Sequence, residues 1–259
     1  MNLRIKKYLE IAIDAAEAAG RSILEIYKGD DFETGYKGDD SPLTRADLAS
    51  HALIMELLNV TGLPVLSEEG KAIDFDIRKT WDLFWMVDPL DGTKEFIKRN
   101  GEFTVNIALI QKGRPIMGVV NVPVSGVTYY GIGGVGAFKK NTTGETEAIS
   151  VSKRNQGIII VASRSHMSNE TSAFIAGYEG AELISMGSSL KLLLVAEGKA
   201  HLYPRFAPTM EWDTAAAHAV VFAAGGEVLS FPERDSLMYN KKDLLNPWFL
   251  AMADSMEAI

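Results

Sequence analysis

The spacing of apolar residues predicts that the chain begins with two helices. Apolar residues recur at helical intervals over 9–27, which indicates an amphipathic first helix. A second helix is predicted over 44–58, with Thr44 as its cap and Asp47 at the third helical position. Residues 30–42 between them are polar and rich in Asp and Gly, which is typical of a loop.

After the second helix the pattern changes to short apolar or alternating strands. Two apolar strands are predicted at 65–67 and 85–87, the second ending at Asp88. The following region alternates apolar and polar residues between turns, which predicts an antiparallel meander. Its strands are predicted at 103–110, 116–122, 127–132 and 136–139.

Beyond about residue 150, predicted strands and helices alternate, which favours an α/β layer. The strands are predicted at 158–162, 182–185, 200–204 and 226–231, and the helices at 169–176, 188–197 and 211–224. We therefore expect an N-terminal α+β domain over residues 1–145 and a C-terminal α/β domain over residues 146–259. The polar stretch 141–147 is the expected boundary.

Composition and charge restrict the function. The 259 residues include no cysteine, which excludes disulfide scaffolds, zinc–thiolate sites, iron–sulfur clusters and cysteine catalysis. The net charge of −8 disfavours nucleic acid and anionic membranes as partners. No apolar run approaches the roughly 18–20 residues that span a bilayer. We expect a cytoplasmic protein, at most peripheral on the cytoplasmic face of the inner membrane, and a monomer or homodimer.

Three acidic clusters lie at the ends of apolar segments. The pair Glu68-Glu69 follows a strand, Asp88 and Asp91 lie in the string DPLDGT, and Asp213 opens an apolar helix. Carboxylates gathered at the ends of buried elements repel each other unless a cation lies among them. Hard oxygen ligands of this kind suit Mg²⁺, so the pattern predicts a magnesium site.

Each acid also has a plain structural explanation. The Glu68-Glu69 pair suits an exposed turn, and Asp88 suits the cap of a turn. Asp47 and Asp213 suit the first turns of helices, where a carboxylate is favoured by the helix dipole. The conjunction of all these acids with the string DPLDGT favours a binding site. The spacing excludes an EF-hand loop and the D-x-D-G-T motif of haloacid-dehalogenase phosphatases.

Three strings occur in order along the chain: SEEG at 67–70, WMVDPLDGT at 85–93 and WDTAAA at 212–217. With them the chain resembles the inositol monophosphatase superfamily of lithium-sensitive, Mg²⁺-dependent phosphatases. Ala217 stands where many relatives have glycine. Within the superfamily, the stretches 88–110 and 161–168 are similar to bacterial 3'(2'),5'-bisphosphate nucleotidases. The resemblance implies a layered αβαβα sandwich.

The resemblance also implies roles for individual residues around two or three Mg²⁺ ions. Glu68, Asp88, the Leu90 carbonyl and Thr93 would surround one ion, and Asp88, Asp91 and Asp213 would hold another. Asp47 and Thr93 would orient the attacking water. The N–H groups of Gly92 and Thr93 would cradle the phosphate.

A small phosphorylated molecule is the implied substrate. The nucleotidase branch converts 3'-phosphoadenosine 5'-phosphate to AMP and phosphate, which recycles a by-product of sulfate activation. Ser165 and His166 would lie near the adenosine, and Ser188, Lys191 and Arg205 would bind the second phosphate at the start of a predicted helix. Two alternatives stay open: an inositol-phosphate or sugar-phosphate phosphatase, and a phosphate-binding regulatory protein without turnover.

Overall fold

A computed structural model describes residues 3–29, 35–36, 42–153, 157–163 and 167–253. The helices in these ranges are α1 (Leu3–Tyr27), α2 (Arg45–Asn59), α3 (Phe75–Arg78), α4 (Thr93–Ile97), α5 (Asn169–Ala176), α6 (Leu190–Ala196) and α7 (Glu211–Ala223). The strands are β1 (Gly35–Tyr36), β2 (Pro42–Leu43), β3 (Val65–Ser67), β4 (Leu83–Asp91), β5 (Thr104–Gln111), β6 (Arg114–Val122), β7 (Val127–Ile132), β8 (Gly136–Lys140), β9 (Thr146–Ile149), β10 (Ile159–Ser163), β11 (Glu182–Met186), β12 (Leu202–Arg205), β13 (Gly226–Ser230) and β14 (Phe249–Ala253). None of these helices combines the length and the apolar character that crossing a bilayer requires.

The main strands form two sheets with helices between and outside them. The larger sheet has the order β3-β4-β5-β6-β7-β8-β9, and the smaller one has the order β11-β10-β12-β14-β13. Helices α1 and α2 cover one face of the larger sheet, α6 and α7 lie between the sheets, and α5 packs against the smaller sheet. These layers confirm the expected αβαβα sandwich.

Strand β5 shows how sequence alternation builds both sides of the larger sheet. Val105, Ile107 and Leu109 belong to the core shared with α1 and α2. Ala108 and Ile110 point the other way, into the core between the sheets. The side-chain period of a strand is two residues, so one strand supplies both cores. The predicted meander from β5 to β8 is confirmed, because these strands pair antiparallel in chain order.

Strand β4 is longer than the sequence predicts. The prediction ends it at Asp88, but it continues through Pro89 to Asp91. The pairing with β5 shifts register between Asp88 and Asp91. Proline has no N–H to donate to the neighbouring strand, so the strand passes it only with an irregularity of the bulge type. The register shift lies between the pairs Asp88–Asn106 and Asp91–Thr104.

The expected boundary between the two domains falls inside a hairpin. Lys140 pairs with Thr146, so β8 and β9 are adjacent strands of the larger sheet. The polar residues between them form the turn, where Asn141 Oδ1 accepts hydrogen bonds from the N–H groups of Thr143 and Glu145. The larger sheet thus continues past residue 145. The division into two domains itself stays a prediction.

The acidic segments meet because of how the strands pair. Strands β3 and β4 are parallel neighbours, so their carboxyl ends lie at the same edge of the sheet. The N–H of Glu68 donates to the Val87 carbonyl at 3.1 Å, which places the end of β3 beside Asp88. Helix α7 packs on this sheet, and its first turn carries Asp213 to the same edge.

The close approach of α7 to β6 gives a test of this packing. A Cβ at Gly118 would lie 2.0 Å from the Ala216 carbonyl oxygen. We expect Gly118→Ala to lower the free energy of unfolding by about 1–3 kcal/mol, because the overpacked helix must move away from the sheet. Chemical denaturation measures the change. Gly133→Ala is the control, since its Cβ would meet Phe222 at an ordinary 3.7 Å. An unchanged free energy of unfolding for Gly118→Ala would contradict the close packing.

Candidate active site

The three acidic clusters converge at the edge where β3 and β4 end. One carboxylate oxygen from each of Glu68, Asp88 and Asp213 lies within 4.8 Å of the other two. Asp88 is fully buried, and Glu68 and Asp213 are half-buried. The resemblance implies different ions for Glu68 and Asp213, and the structure brings both together with Asp88.

Burial and mutual repulsion make it unfavourable for all three of these carboxylates to be ionised at once. Burial raises the pKa of Asp88 well above its usual value, and the charges of Glu68, Asp91 and Asp213 raise it further. Burial also raises the pKa of Asp213, with Asp91 and Glu68 adding to the effect. A cation among the carboxylates would remove both penalties. The donor set is all oxygen, which fits a hard divalent ion such as Mg²⁺.

Asp91 adjoins this group but is held from the other side. Its Oδ2 atom accepts two hydrogen bonds of 2.6 Å, one from Ser188 Oγ and one from the Ser189 N–H. Burial raises the pKa of Asp91, while these hydrogen bonds and the charge of Lys191 act against the rise. The charge of Asp91 is felt by both Asp88 and Asp213. The predicted role of Asp91 as an ion ligand stays a prediction.

The carboxylate of Asp47 links α2 to the turn that follows β4. Its Oδ2 atom accepts the Thr44 N–H at 2.7 Å and the Thr44 hydroxyl at 2.5 Å, which completes a capping box. Its Oδ1 atom accepts the Thr93 hydroxyl at 3.1 Å. Burial raises the pKa of Asp47, the Thr44 hydrogen bonds oppose this, and the charge of Glu69 adds to it. Asp47 therefore caps its helix and contacts Thr93 at the same time.

Two backbone groups of the DPLDGT string shape the same region. The Leu90 N–H donates to Asp88 Oδ1 at 3.0 Å and so orients that carboxylate. The Leu90 carbonyl lies 3.4 Å from the Thr93 hydroxyl, a longer alternative to the bond with Asp47.

A cavity of about 270 Å³ opens beside the carboxylates. Gly92, Thr93 and Lys94 line it at the start of α4, which has no side-chain cap. Gly92 has a φ of 99°, and a Cβ there would lie 3.0 Å from the Glu102 carbonyl oxygen. Only glycine fits this position without strain. The N–H groups at the start of a helix favour an anion, so this side of the cavity suits a phosphate.

Two basic residues, Lys191 and Arg205, also line the cavity. Lys191 is buried, and its ammonium donates to the Ser188 carbonyl at 2.6 Å and to the Met186 carbonyl at 3.3 Å. Burial lowers the pKa of Lys191 to about 8; the charge of Asp91 opposes this shift and that of Arg205 adds to it. Arg205 donates from Nη2 to the Pro208 carbonyl at 2.9 Å. Within the described residues, its buried Nε has no hydrogen-bond acceptor.

The helix expected to open at Ser188 begins later than predicted. Helix α6 starts at Leu190, with Ser189 as its N-cap. The backbone N–H groups before it are already bonded to carboxylates of the protein. The Gly187 N–H donates to Glu102 Oε2 at 2.7 Å, and the Ser189 N–H donates to Asp91. These groups do not offer an open site for a phosphate. Ser165 and His166, expected near the adenosine, lie outside the described residues.

Several residues of the site are not among those predicted from the sequence. Tyr203 lines the cavity, with its ring 5.4 Å from the Lys191 ammonium. Strand alternation places Tyr203 on the same face as Arg205, so this residue was recognisable from the sequence. No sequence pattern indicates Glu102 and Ser189, because the residues that they bond, Gly187 and Asp91, are far from them along the chain.

Comparison with known proteins adds relatives that cover almost the whole chain. The model of the inositol monophosphatase family matches residues 4–256. The chain is 45% identical over 244 residues to the 3'(2'),5'-bisphosphate nucleotidase CysQ of Salmonella typhimurium, an alignment that covers 93% of this chain and 98% of that one. The Escherichia coli protein of the same name is 44% identical with the same coverage.

The solved structures include a similar fold over the same range. The crystal structure of CysQ from Bacteroides thetaiotaomicron, a bacterial member of the same family, superposes with a TM-score of 0.90 at 50% identity. The superposition covers 98% of this chain and 100% of that one. The family is metal-dependent, which agrees with the grouping of Glu68, Asp88 and Asp213.

Proposed function

This chain belongs to the inositol monophosphatase family, and from that premise we propose that it is a Mg²⁺-dependent 3'(2'),5'-bisphosphate nucleotidase. It converts 3'-phosphoadenosine 5'-phosphate to AMP and phosphate. The relatives at 44–45% identity carry the name of this activity, so an inositol-phosphate phosphatase is not favoured. We propose that it acts in the cytoplasm.

The observation that carries the proposal is a cavity lined by both acidic and basic side chains. Glu68 and Asp213 line it, and together with the buried Asp88 their carboxylates repel each other, which favours the binding of cations. Lys191 and Arg205 line the same cavity, and their mutual repulsion favours the binding of an anion. A substrate with two phosphates satisfies both groups: one phosphate is cleaved at the cations and the other is held by the basic pair.

The residues that would hold Mg²⁺ are Glu68, Asp88, Asp91 and Asp213, with the Leu90 carbonyl. Bound there, Mg²⁺ would supply positive charge to the phosphate oxygens and lower the pKa of a water. The fully buried Asp88 is the member whose charge the other three acids disturb most. We propose two or three ions on the strength of the family resemblance.

Thr93 and Asp47 are placed to orient the attacking water. A water beside the Thr93 hydroxyl can donate a hydrogen bond to it, because the Thr93 proton is already directed at Asp47. Burial raises the pKa of Asp47, which makes its carboxylate a better proton acceptor. The Thr44 bonds fix the other oxygen of Asp47, so the acceptor does not turn away.

The position of Arg205 in the cavity gives a prediction on substrate selectivity. Arg205→Ala should lower kcat/KM for 3'-phosphoadenosine 5'-phosphate by roughly 30- to 1,000-fold, which corresponds to the loss of a charge-assisted pair of about 2–4 kcal/mol. It should hardly change kcat/KM for 3'-AMP, which lacks the second phosphate. Arg205→Lys keeps the charge but not the planar fork, and should fall between the two. Equal losses on both substrates would mean that Arg205 supports the fold or the ion site instead.

The test of the activity is phosphate release from three substrates side by side. With Mg²⁺ present, 3'-phosphoadenosine 5'-phosphate should be hydrolysed with the highest kcat/KM. Inositol 1-phosphate and fructose 1,6-bisphosphate should be poorer substrates, because neither places a second phosphate as the nucleotide does. A higher kcat/KM for inositol 1-phosphate would favour the alternative phosphatase. No release from any of the three would favour the regulatory protein.

A further inference from the structure

We propose that Ser188 is a positioning residue for Asp91 and not a ligand of the second phosphate. The inference rests on the proposed function only in taking Asp91 as an ion ligand. It assigns the Ser188 hydroxyl to the ion side of the cavity, while Lys191 and Arg205 remain on the phosphate side.

Two hydrogen bonds converge on a single oxygen of Asp91. Ser188 Oγ and the Ser189 N–H each donate to Oδ2 at 2.6 Å. Both are short bonds to a carboxylate, the geometry of charge-assisted pairs. With Oδ2 fixed in this way, the side chain cannot rotate freely and Oδ1 is the oxygen left for a cation. Hydrogen bonds of this kind orient metal-binding carboxylates and raise metal affinity.

The single proton of Ser188 decides between the two roles. A serine hydroxyl donates one hydrogen bond, and a phosphate dianion has only acceptor atoms. The Ser188 proton is committed to Asp91 at 2.6 Å. Thr104 Oγ1 lies 2.7 Å from Ser188 Oγ and fills an acceptor position on it. Ser188 can therefore bind a phosphate only by releasing Asp91.

The loop around Ser188 is built to hold this hydroxyl in place. Ser188 adopts a φ of 52°, in the left-handed region that non-glycine residues seldom occupy. Its carbonyl accepts the Lys191 ammonium at 2.6 Å, and the Gly187 N–H before it is bonded to Glu102. Such a conformation persists where neighbouring contacts determine it. Here those contacts come from β4 and β5 of the larger sheet and from α6, and the result is a serine directed at Asp91.

A buried hydrogen-bond network with side chains of β5 also holds this loop. Ser189 Oγ donates to Asn106 Oδ1 at 2.9 Å and lies 2.8 Å from Thr104 Oγ1. Thr104, Asn106 and Ser189 are all buried. The polar groups thus bond to each other and to Asp91, and this makes the loop an extension of the ion site.

The test compares ion binding with substrate binding in Ser188→Gly. Glycine removes the hydroxyl and accepts the left-handed φ, so this variant should fold at least as well as the parent chain. We expect the Kd for Mn²⁺, read from the free Mn²⁺ signal in electron paramagnetic resonance without substrate, to rise about 10-fold or more. At saturating Mg²⁺, KM for 3'-phosphoadenosine 5'-phosphate should stay within about twofold of the parent value.

Two variants provide the matched controls. Ser189→Ala removes the neighbouring hydroxyl but keeps the N–H bond to Asp91, so it should lower Tm and leave the Kd for Mn²⁺ unchanged. Ser188→Ala keeps the strained φ and should weaken Mn²⁺ binding as Ser188→Gly does.

The outcomes separate this inference from the proposed function. An unchanged Kd for Mn²⁺ in Ser188→Gly, with a higher KM for the bisphosphate alone, would overturn the inference and make Ser188 a phosphate ligand. Weaker Mn²⁺ binding in both Ser188 variants would support it. That result would stand even if no substrate were hydrolysed, in which case the proposed function alone would fail.

Discussion

Asp88→Asn should lower kcat by roughly 10³-fold or more at saturating substrate, the largest loss expected from a single substitution in this site. Asp88 is the member of the carboxylate group that is fully buried and disturbed by all three other acids. Asparagine keeps the shape of the side chain and removes its charge. The cations then lose the ligand that is expected to bridge them. With the cations bound less well, the negative charge of the phosphate is no longer compensated. Steady-state phosphate release with increasing Mg²⁺ measures the loss.

The matched control is Asp82→Asn, the same change at an exposed aspartate just before β4. It should leave kcat within about twofold, since surface charges away from a site contribute little. Asp88→Asn with more than about a tenth of the parent kcat would contradict the ion role of Asp88.

Asp88→Asn should also stabilise the metal-free protein at neutral pH. The folded-state pKa of Asp88 is raised above its ordinary value of 3.8, so the folded state holds the proton to higher pH than the unfolded chain does. Asp88 therefore contributes its full stabilisation below the ordinary pKa of 3.8, and this contribution is lost as pH rises through the raised pKa of the folded state. Asparagine stays neutral throughout. The Tm of Asp88→Asn in EDTA should therefore exceed that of the parent at pH 7, with the difference vanishing toward pH 4.

Asp47→Ala and Thr93→Ala should each lower kcat by about 10²–10³-fold, because both act on one water. Their side chains are joined by a 3.1 Å hydrogen bond although they lie 46 residues apart in the chain. Groups that act as a unit give non-additive losses. The double variant should therefore have a kcat close to that of the worse single variant. A double-mutant cycle in kcat is the measurement.

Asp47 also caps α2, so stability needs its own control in this cycle. Thr44→Ala removes the side-chain half of the capping box and should lower the free energy of unfolding by about 1 kcal/mol. If Asp47 only caps its helix, the Asp47→Ala loss in kcat should match that of Thr44→Ala, and the losses of Asp47→Ala and Thr93→Ala should multiply.

The layers of the fold and the acidic part of the site could be predicted because their signals are local. Alternation along β5 shows both of its buried faces, and the acids lie within short strings. Strand β14 was not predicted. Its apolar run is short, and periodicity alone does not tell such a run from part of a helix. The polar stretch 141–147 predicts a domain boundary, whereas the structure has the turn between β8 and β9 there, because polar turns and polar boundary segments have the same composition.

The assignment of Ser188 could not come from the sequence. Its partner Asp91 lies 97 residues away, in β4 of the larger sheet. A serine followed by a lysine one turn later looks like an anion site, and only the fold shows that the nearby N–H groups already bind Asp91 and Glu102. The type of a residue gives the number of protons it can donate, but tertiary geometry decides which acceptor receives them.

Phosphorus NMR of the reaction with 3'-phosphoadenosine 5'-phosphate tests the central claim most directly, because it shows which phosphate is cleaved. With Mg²⁺, the 3'-phosphate resonance should disappear as inorganic phosphate grows, and the 5'-phosphate should persist as AMP. EDTA should stop the conversion. Loss of the 5'-phosphate first, or conversion that continues in EDTA, would contradict a site that cleaves one phosphate beside the carboxylates while Lys191 and Arg205 hold the other.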